Sequence, residues 1–200
     1  MIELHFNQLA QMEKLCAILI LFSLLIANTY ATSKEAKDAE KWFQKYLSQR
    51  KEKVAKLHFY IQDALGGPNA TLWEVARSEI TSDSPTMFGQ VSVLDDKITA
   101  EPDRNSEELG RAQGLITSAD LRLSGLAMNM NVVFTSGPYN GSTLCILGRN
   151  PIGSTNRELP IVGGSGVFRM ARGFSISNTY SYDPVENYGV LEYTVYVFYA

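Results

Sequence analysis

The sequence predicts an all-β domain, built as an antiparallel barrel or sandwich, and three observations support that class. Eight segments after Lys56 have the alternating or wholly apolar pattern of strands, glycine and proline separate them, and no long helical pattern follows Lys56. A barrel of eight strands can enclose one small ligand. The predicted strands are residues 57–63, 88–95, 112–118, 126–136, 143–147, 159–162, 168–178 and 188–199.

The N-terminal segment predicts secretion. The stretch MEKLCAILILFSLLIANTYA, from Met12 to Ala31, contains a lysine, an apolar run and then small residues, the pattern of a cleavable signal peptide. The apolar run of about a dozen residues is shorter than the roughly twenty that span a bilayer, so secretion is favoured over a membrane anchor. We therefore expect residues 1–31 to be a signal peptide, with Met12 as an alternative translation start. The mature chain is expected to be extracellular, with no membrane span.

Residues 32–52 form a charged arm between the signal and the domain. Its apolar residues recur at helical spacing, at Trp42, Phe43, Tyr46 and Leu47. This spacing predicts a short amphipathic helix, unless the arm stays mobile, and a solvated arm is favoured over a partner-binding helix. The predicted domain then covers residues 53–200.

Charge and cysteine usage exclude several functional classes. The net charge of -3 and the lack of clustered basic and aromatic residues argue against nucleic-acid binding. Removal of the signal would take Cys16 with it and leave Cys145 alone, so no internal disulfide is expected. His58 and one cysteine cannot form a tetrahedral protein site, and we expect no metal.

Two sequons indicate a glycoprotein. Asn69-Ala70-Thr71 and Asn140-Gly141-Ser142 both lie in turn-rich stretches, where a secretory glycosylation enzyme could reach them. Asn69 and Asn140 are therefore the candidate glycosylation sites.

The C-terminal strand predicts self-association. The stretch YGVLEYTVYVFY, residues 188–199, is apolar on both faces, so one face is expected to fill the interior and the other to meet a surface outside. Burying the outer face between subunits would protect it from water, and we expect a homo-oligomer. Residues 126–136, LAMNMNVVFTS, alternate more regularly and predict a strand with one buried side.

The first strand, LHFYIQD, ends its apolar face on a carboxylate. Alternation puts Leu57, Phe59, Ile61 and Asp63 on one side. A carboxylate at the mouth of a barrel would be partly desolvated, which raises its pKa and allows proton transfer near neutral pH. The alternative role of Asp63 is an Asx turn into the following glycines, and spacing alone does not separate the two.

Several linked motifs resemble the plant dirigent proteins. The order and spacing of LHFYIQD, GPNAT, FGQVSVLDDKIT, GRAQG, YNGSTLCILGRNP and RELPIVGGSGVFRMARG are similar to that family from about Lys53 to the C-terminus. The resemblance implies an eight-stranded antiparallel barrel of the allene oxide cyclase type, commonly trimeric. This agrees with the strand count.

The resemblance implies one of two chemistries in an apolar site without a cofactor. In the first, an oxidase such as a laccase makes monolignol phenoxy radicals, and the barrel directs the stereochemistry of their coupling to lignan-type products through quinone methides. In the second, the protein alone dehydrates an isoflavanol-like phenol through a quinone methide to a pterocarpan-type product. A third class is a non-catalytic apoplastic protein that binds phenolics or glycans in defence.

The same resemblance suggests the catalytic residues. Asp63 matches the family's active-site aspartate, which favours catalysis over the Asx turn. Arg157 matches the family's active-site arginine and would hold a phenolate or tune Asp63 electrostatically. The alternative for Arg157 is an ion pair at the rim with an acid such as Glu158.

Asn150 and Asp96 are the candidate substrate-binding residues. Asn150 stands where pinoresinol-forming members normally carry a second aspartate, so it would orient a substrate oxygen or serve as a turn residue before Pro151. Asp95 and Asp96 point to opposite faces, so only one of them faces the cavity, and turn or ion-pair duty is favoured. Asp96 is taken as the substrate-binding candidate.

The strand after GRAQG carries a further departure. Tyrosines of pinoresinol-forming members are replaced by Leu115, Ile116 and Ser118. This change and the ILGRNP motif favour the dirigent-like branch that also contains the dehydratases.

Overall fold

The computed structural model describes residue 38, residues 40–46, residue 48 and residues 52–200. The chain divides into two units, residues 1–51 and 52–200. In the first unit the described residues are helical, and the Trp42 ring stacks on Tyr46 with centroids 5.5 Å apart. The predicted signal peptide lies outside the described residues. None of the helical residues described belongs to a helix long and apolar enough to cross a membrane.

The second unit is an eight-stranded antiparallel β-barrel with one short additional strand, which confirms the predicted fold class. The sheet order is β1-β9-β8-β7-β6-β5-β4-β3-β2, and β1 also pairs with β3 to close the barrel. The strands are β1 (Lys53–Ala64), β2 (Leu72–Ala76), β3 (Val91–Thr99), β4 (Glu108–Ser118), β5 (Gly125–Phe134), β6 (Thr143–Pro151), β7 (Arg157–Ser165), β8 (Arg172–Asp183) and β9 (Tyr188–Tyr199).

Barrel closure explains where the observed strands differ from the predicted ones. Strand β3 runs on to Thr99 instead of ending at Asp95, because its last residues pair with β1 across the seam. Strand β2 was not predicted, since its five residues do not alternate clearly and it pairs only with the first half of β3. Phe168 was placed in the seventh predicted strand, residues 168–178, but lies in a short helical turn before β8.

Side-chain alternation fills the interior as predicted. Phe59 and Ile61 of β1 and Val132 of β5 are buried. On β9 the same is true of Val195 and Val197, which confirms that one face of this strand fills the barrel. At 20 to 33 cal/mol per Å² of apolar surface removed from water, this common core is the main stabilising contribution to the closed sheet.

The outer face of β7, β8 and β9 is apolar as well. Pro160, Phe174 and Tyr196 are cross-strand neighbours, and the Phe174 and Tyr196 rings stack with centroids 5.0 Å apart. Phe174 and Phe198 remain 37% and 40% exposed. We call Pro160, Phe174, Tyr196 and Phe198 the outer apolar face.

The end of the barrel away from the β1 C-terminus is closed by aromatic rings. Phe168 contacts three other rings, with centroid distances of 5.6 Å to Phe134, 4.8 Å to Tyr139 and 5.3 Å to Tyr199. Phe134 and Tyr199 stand at the C-terminal ends of β5 and β9. We call these four residues the aromatic plug.

Gly114 on β4 allows a close approach to β5. A Cβ atom at this position would lie 2.0 Å from the carbonyl oxygen of Asn129, which is far inside van der Waals contact. Glycine in a strand often marks such a close approach of another backbone. Its neighbours in register, Leu94 and Met130, both line the cavity described below.

We predict that Gly114→Ala destabilises the domain by about 2–4 kcal/mol, because backbone must move to make room for the methyl group. Gly153→Ala is the matched control, since a Cβ atom there meets nothing within 4 Å. Chemical denaturation followed by tryptophan fluorescence measures both. Equal stabilities for the two variants would contradict the close approach at Gly114.

Candidate active site

The barrel encloses a cavity of about 580 Å³ at the end opposite the aromatic plug. The C-terminal end of β1 and the N-terminal ends of β5 and β9 contribute to its wall, so it opens where Leu65 and Tyr182 stand. Most of its wall is apolar, and a site of this size can bury an aromatic ligand. The apolar lining residues are Ile61, Leu65, Leu72, Leu94, Ile116, Leu126, Met128, Met130, Ile152 and Leu191.

Asp63 lies in the wall of this cavity. It follows Ile61 on the inward face of β1, and its cross-strand neighbour on β9 is Gly189, which has no side chain to cover it. Its Oδ1 atom is buried and has no hydrogen-bond partner among the described residues. Burial raises the pKa of Asp63 from 3.8 to about 6.

Asp96 is a second buried carboxyl group in the same cavity. It is 3% exposed, and the Thr71 hydroxyl donates a hydrogen bond of 2.5 Å to its Oδ1. The β1–β3 register pairs Gln62 with Lys97, and continued by one residue it sets Asp63 beside Asp96. Burial makes the largest contribution to raising the pKa of Asp96 to about 7, and the charge of Asp63 makes the next largest. The hydrogen bond from Thr71 lowers this pKa and so opposes the shift.

The side chains of Asp95 and Asp96 point to opposite faces of β3, as strand geometry requires. Asp95 points outwards and accepts a hydrogen bond of 2.8 Å from Arg111 Nε. Asp96 points inwards and lies within β3, so the turn role that sequence favoured for this pair is wrong for Asp96. The reason is again the extension of β3 along the barrel seam.

Arg157 places a buried positive charge on the opposite wall. It opens β7, is 4% exposed and makes no ion pair within residues 52–200, so the rim ion pair with Glu158 is not formed. Its Nη1 donates to the Ile152 carbonyl at 3.0 Å and to Thr179 Oγ1 at 3.1 Å, and Nε donates to Ser177 Oγ at 3.3 Å. Burial lowers the pKa of Arg157. An uncompensated guanidinium here would stabilise an anionic ligand oxygen.

Asn150 also lines the cavity. It lies on β6, 5% exposed, so the turn role before Pro151 is not what the structure shows. Its Oδ1 atom, like that of Asp63, is buried without a hydrogen-bond partner in the described part of the chain. An unpaired buried acceptor costs free energy, and both oxygens are available to hydroxyl donors of a ligand in this cavity.

Sequence reasoning missed an aromatic hydroxyl in the cavity. Tyr193 is buried on β9, stacks on Phe59 with centroids 5.8 Å apart, and its pKa is raised by burial to about 12. Alternation grouped Tyr193 with Val195 and Val197 on one face of the strand, but only the structure shows that this face is buried and that Tyr193 lines the same cavity as Arg157. On β4, Leu115 points outwards while Ile116 and Ser118 line the wall.

Thr71 was missed as well, and the sequence gives no local sign of its role. It lies in the loop before β2 as the third residue of the first sequon. Asn69 and Asn140, the two glycosylation candidates, are exposed. Within residues 38–48 and 52–200, as far as these are described, no group of three or more metal-ligating side chains comes together.

These groups form a site for acid–base chemistry. Two carboxyl groups with raised pKa values share one wall, a guanidinium occupies another, and apolar side chains separate them. A carboxyl group that is protonated near neutral pH can donate a proton, and its ionised partner can accept one.

Comparison with known proteins finds one family and several relatives that are similar to this chain in sequence. The family model described as Dirigent-like protein matches residues 54–198. Dirigent protein 21 of Arabidopsis thaliana is 39% identical over 189 residues, which cover 94% of this chain and 99% of that protein. Pterocarpan synthase 1 of Glycine max is 37% identical over 179 residues, which cover 89% of this chain and 91% of that protein.

A solved structure is similar to this chain in both fold and sequence. The structure of a pterocarpan synthase dirigent protein superposes with a TM-score of 0.69 at 40% identity, over 75% of this chain and 87% of that chain.

We predict that Asp63→Asn stabilises the protein at pH 8 but not at pH 4. The unfolded chain loses the Asp63 proton near pH 3.8 and the folded chain near pH 6, so wild-type stability falls as pH rises through this window. The shift corresponds to roughly 3 kcal/mol at pH 8. Denaturation of both proteins at the two pH values measures this difference. A variant that is less stable at pH 8 would contradict the desolvated carboxylate.

Proposed function

This chain belongs to the dirigent protein family, and from that premise we propose that it acts alone as a dehydratase and cyclase of an isoflavanol-like phenol. The product would be of the pterocarpan type, and the whole reaction would take place inside the barrel. The observation that carries this proposal is the side-by-side placement of Asp63 and Asp96 in one apolar cavity.

The first step is loss of water. A protonated carboxyl group of the pair donates its proton to the benzylic hydroxyl group of the substrate, the C–O bond breaks, and water leaves. The phenol oxygen para to this carbon gives its proton to water, and its electron pair forms the quinone methide. Arg157 stabilises the negative charge on that phenol oxygen while the C–O bond breaks.

The second step closes the ring. A second phenol hydroxyl of the same molecule attacks the electrophilic carbon, a new C–O bond forms, and the proton of that hydroxyl returns to the carboxylate. The first phenol oxygen regains a proton, so the net change is loss of one water molecule and no oxidant is consumed.

The apolar cavity suits such an intermediate. A quinone methide reacts readily with water, and the apolar wall and the aromatic plug at one end shield a ligand from bulk water. The fixed positions of Asp63, Asp96 and Arg157 would also expose a single face of the quinone methide to attack.

A second candidate is stereodirected coupling of phenoxy radicals made by a separate oxidase such as a laccase. The similarity to Dirigent protein 21 supports membership of the wider family and is compatible with this role. Asn150 weighs against it, because closure of a bis-quinone methide would lack the second carboxyl group at this position. We propose an apoplastic location for either activity, to which the segment Met12 to Ala31 would direct the chain.

We further propose that the protein is a homo-oligomer held together by the outer apolar face. Phe174 and Phe198 remain more than a third exposed, and Phe174 stacks on Tyr196. Exposed aromatic rings clustered in this way are typical of a surface covered by another subunit.

We predict that Asp63→Asn and Asp96→Asn each lower turnover of an isoflavanol, without oxidant, by about 10²–10⁴-fold, because each removes one proton-transfer group. Asp95→Asn is the matched control, since its side chain points outwards from the same strand, and it should retain activity within about twofold. Chiral chromatography of the product measures all three. Full activity of Asp63→Asn would overturn the proton-transfer role.

A second assay separates the candidate functions. Purified protein is added to coniferyl alcohol with a laccase, and separately to isoflavanols without one. Turnover of an isoflavanol alone, with a racemic coupling product, supports the dehydratase. An enantiomerically enriched coupling product without isoflavanol turnover overturns it in favour of stereodirected coupling. Inactivity in both assays overturns both and leaves a binding protein.

We predict that Phe174→Glu dissociates the oligomer, because a charge replaces an aromatic ring at the centre of the outer apolar face. Val185→Glu is the control, on an exposed hairpin away from that face. Analytical ultracentrifugation gives the subunit number. A monomeric wild-type protein would contradict the proposal.

A further inference from the structure

We propose that Thr71 is a positioning residue of the active site, which fixes the oxygen of Asp96 that carries the exchangeable proton. No sequence motif marks this role, and it rests on four hydrogen bonds of one residue, two made by its side chain and two by its backbone. For the fate of the proton the inference depends on the proposed function; for the arrangement of Asp96 it does not.

The Thr71 hydroxyl has one proton, and the structure fixes where that proton points. Its Oγ1 atom accepts a hydrogen bond from the Ala64 backbone N–H at 3.1 Å. The same atom lies 2.5 Å from Asp96 Oδ1. Because the N–H of Ala64 can only donate, the hydroxyl proton is directed to Asp96.

The backbone of Thr71 is held just as firmly. Its N–H donates to the Ala64 carbonyl and its carbonyl accepts from the Asp95 N–H, both at 2.9 Å. These two bonds bridge β1 and β3 at the point where their direct pairing ends, after Gln62 and Lys97. Thr71 is therefore tied to both strands that carry the active-site carboxyl groups.

The consequence concerns the two oxygens of Asp96. Oδ1 accepts from Thr71, so a proton bound to Asp96 belongs on Oδ2, which makes no hydrogen bond within residues 52–200. Since Asp96 lines the cavity, Oδ2 is the atom available to a ligand and to Asp63. Without Thr71 the carboxyl group could rotate and present its proton in either direction, which would weaken proton transfer.

Other charged and titratable groups also act on Asp96. Asp63 on β1 and Asp95 on its own strand raise its pKa, Arg111 on β4 lowers it, and Tyr188 and Tyr193 on β9 interact with it electrostatically. Variants of Thr71 leave all five in place, so a change in titration of Asp96 reports the loss of the hydroxyl.

The sequon supplies matched variants. Thr71→Val keeps the shape of the side chain but loses both the hydroxyl and the sequon. Thr71→Ser keeps both, and Asn69→Gln loses only the sequon. Comparison of the three separates the hydrogen bond to Asp96 from any effect of a glycan at Asn69.

The test is a ¹³C NMR titration of the aspartate carboxyl carbons in the full chain, with Asp63→Asn and Asp96→Asn for assignment. We expect Thr71→Val to raise the titration midpoint of Asp96 by about 1 pH unit, because a donor to the ionised form is lost. Thr71→Ser and Asn69→Gln should titrate as the wild type. An unchanged midpoint in Thr71→Val would overturn the inference.

The pH profile of isoflavanol turnover gives the catalytic readout. In Thr71→Val the limb that reports Asp96 should move to higher pH and kcat should fall about tenfold, with KM little changed and with rescue by Thr71→Ser. A shifted Asp96 midpoint without turnover by any variant, wild type included, contradicts the proposed function and leaves the positioning of Asp96 intact. Turnover of an isoflavanol together with an unshifted Asp96 midpoint in Thr71→Val supports the proposed function and overturns the positioning role of Thr71.

A measurement on the wild type covers the case in which Thr71→Val does not fold. The Thr71 hydroxyl proton, shielded between β1 and β3, should give a slowly exchanging ¹H signal that shifts as Asp96 titrates. Failure of any such signal to respond to that titration would contradict the proposed hydrogen bond.

Discussion

The active site depends on the burial of two carboxyl groups beside each other. Strand β1 closes the barrel by pairing with β3, and the same seam that completes the sheet sets Asp63 beside Asp96. Burial raises both pKa values, and the charge of Asp63 raises that of Asp96 further. One strand pairing thus closes the barrel and also brings together the two carboxyl groups whose pKa values are raised.

The rest of the barrel maintains this arrangement at a cost to stability. The aromatic plug closes one end, and Gly114 allows β4 and β5 to approach closely beside the cavity. Within it, Asp63 and Asn150 each keep an oxygen without a protein donor, and Arg157 keeps a charge without a carboxylate. Such groups destabilise the folded protein when no ligand contacts them. Their clustering in one cavity is typical of a site preorganised for a ligand.

The sequence predicts the parts of this site that depend on local pattern. Alternation places Asp63 on an inward face and separates Asp95 from Asp96, and the strand count predicts an antiparallel barrel or sandwich. It does not predict strand β2, the length of β3 or the contact of Thr71 with Asp96, because these follow from the closure of β1 onto β3, which joins residues far apart in the chain. The family resemblance selects Arg157, but the absence of a carboxylate partner is visible only in three dimensions.

The most direct test of the coupled carboxyl pair is the NMR titration midpoint of Asp96 measured with and without a charge at position 63. The wild-type midpoint should lie near 7 and should fall in Asp63→Asn, because removal of a neighbouring negative charge favours the ionised form of Asp96. A wild-type midpoint near 4, or one that does not respond to the substitution, would contradict a shared, desolvated site.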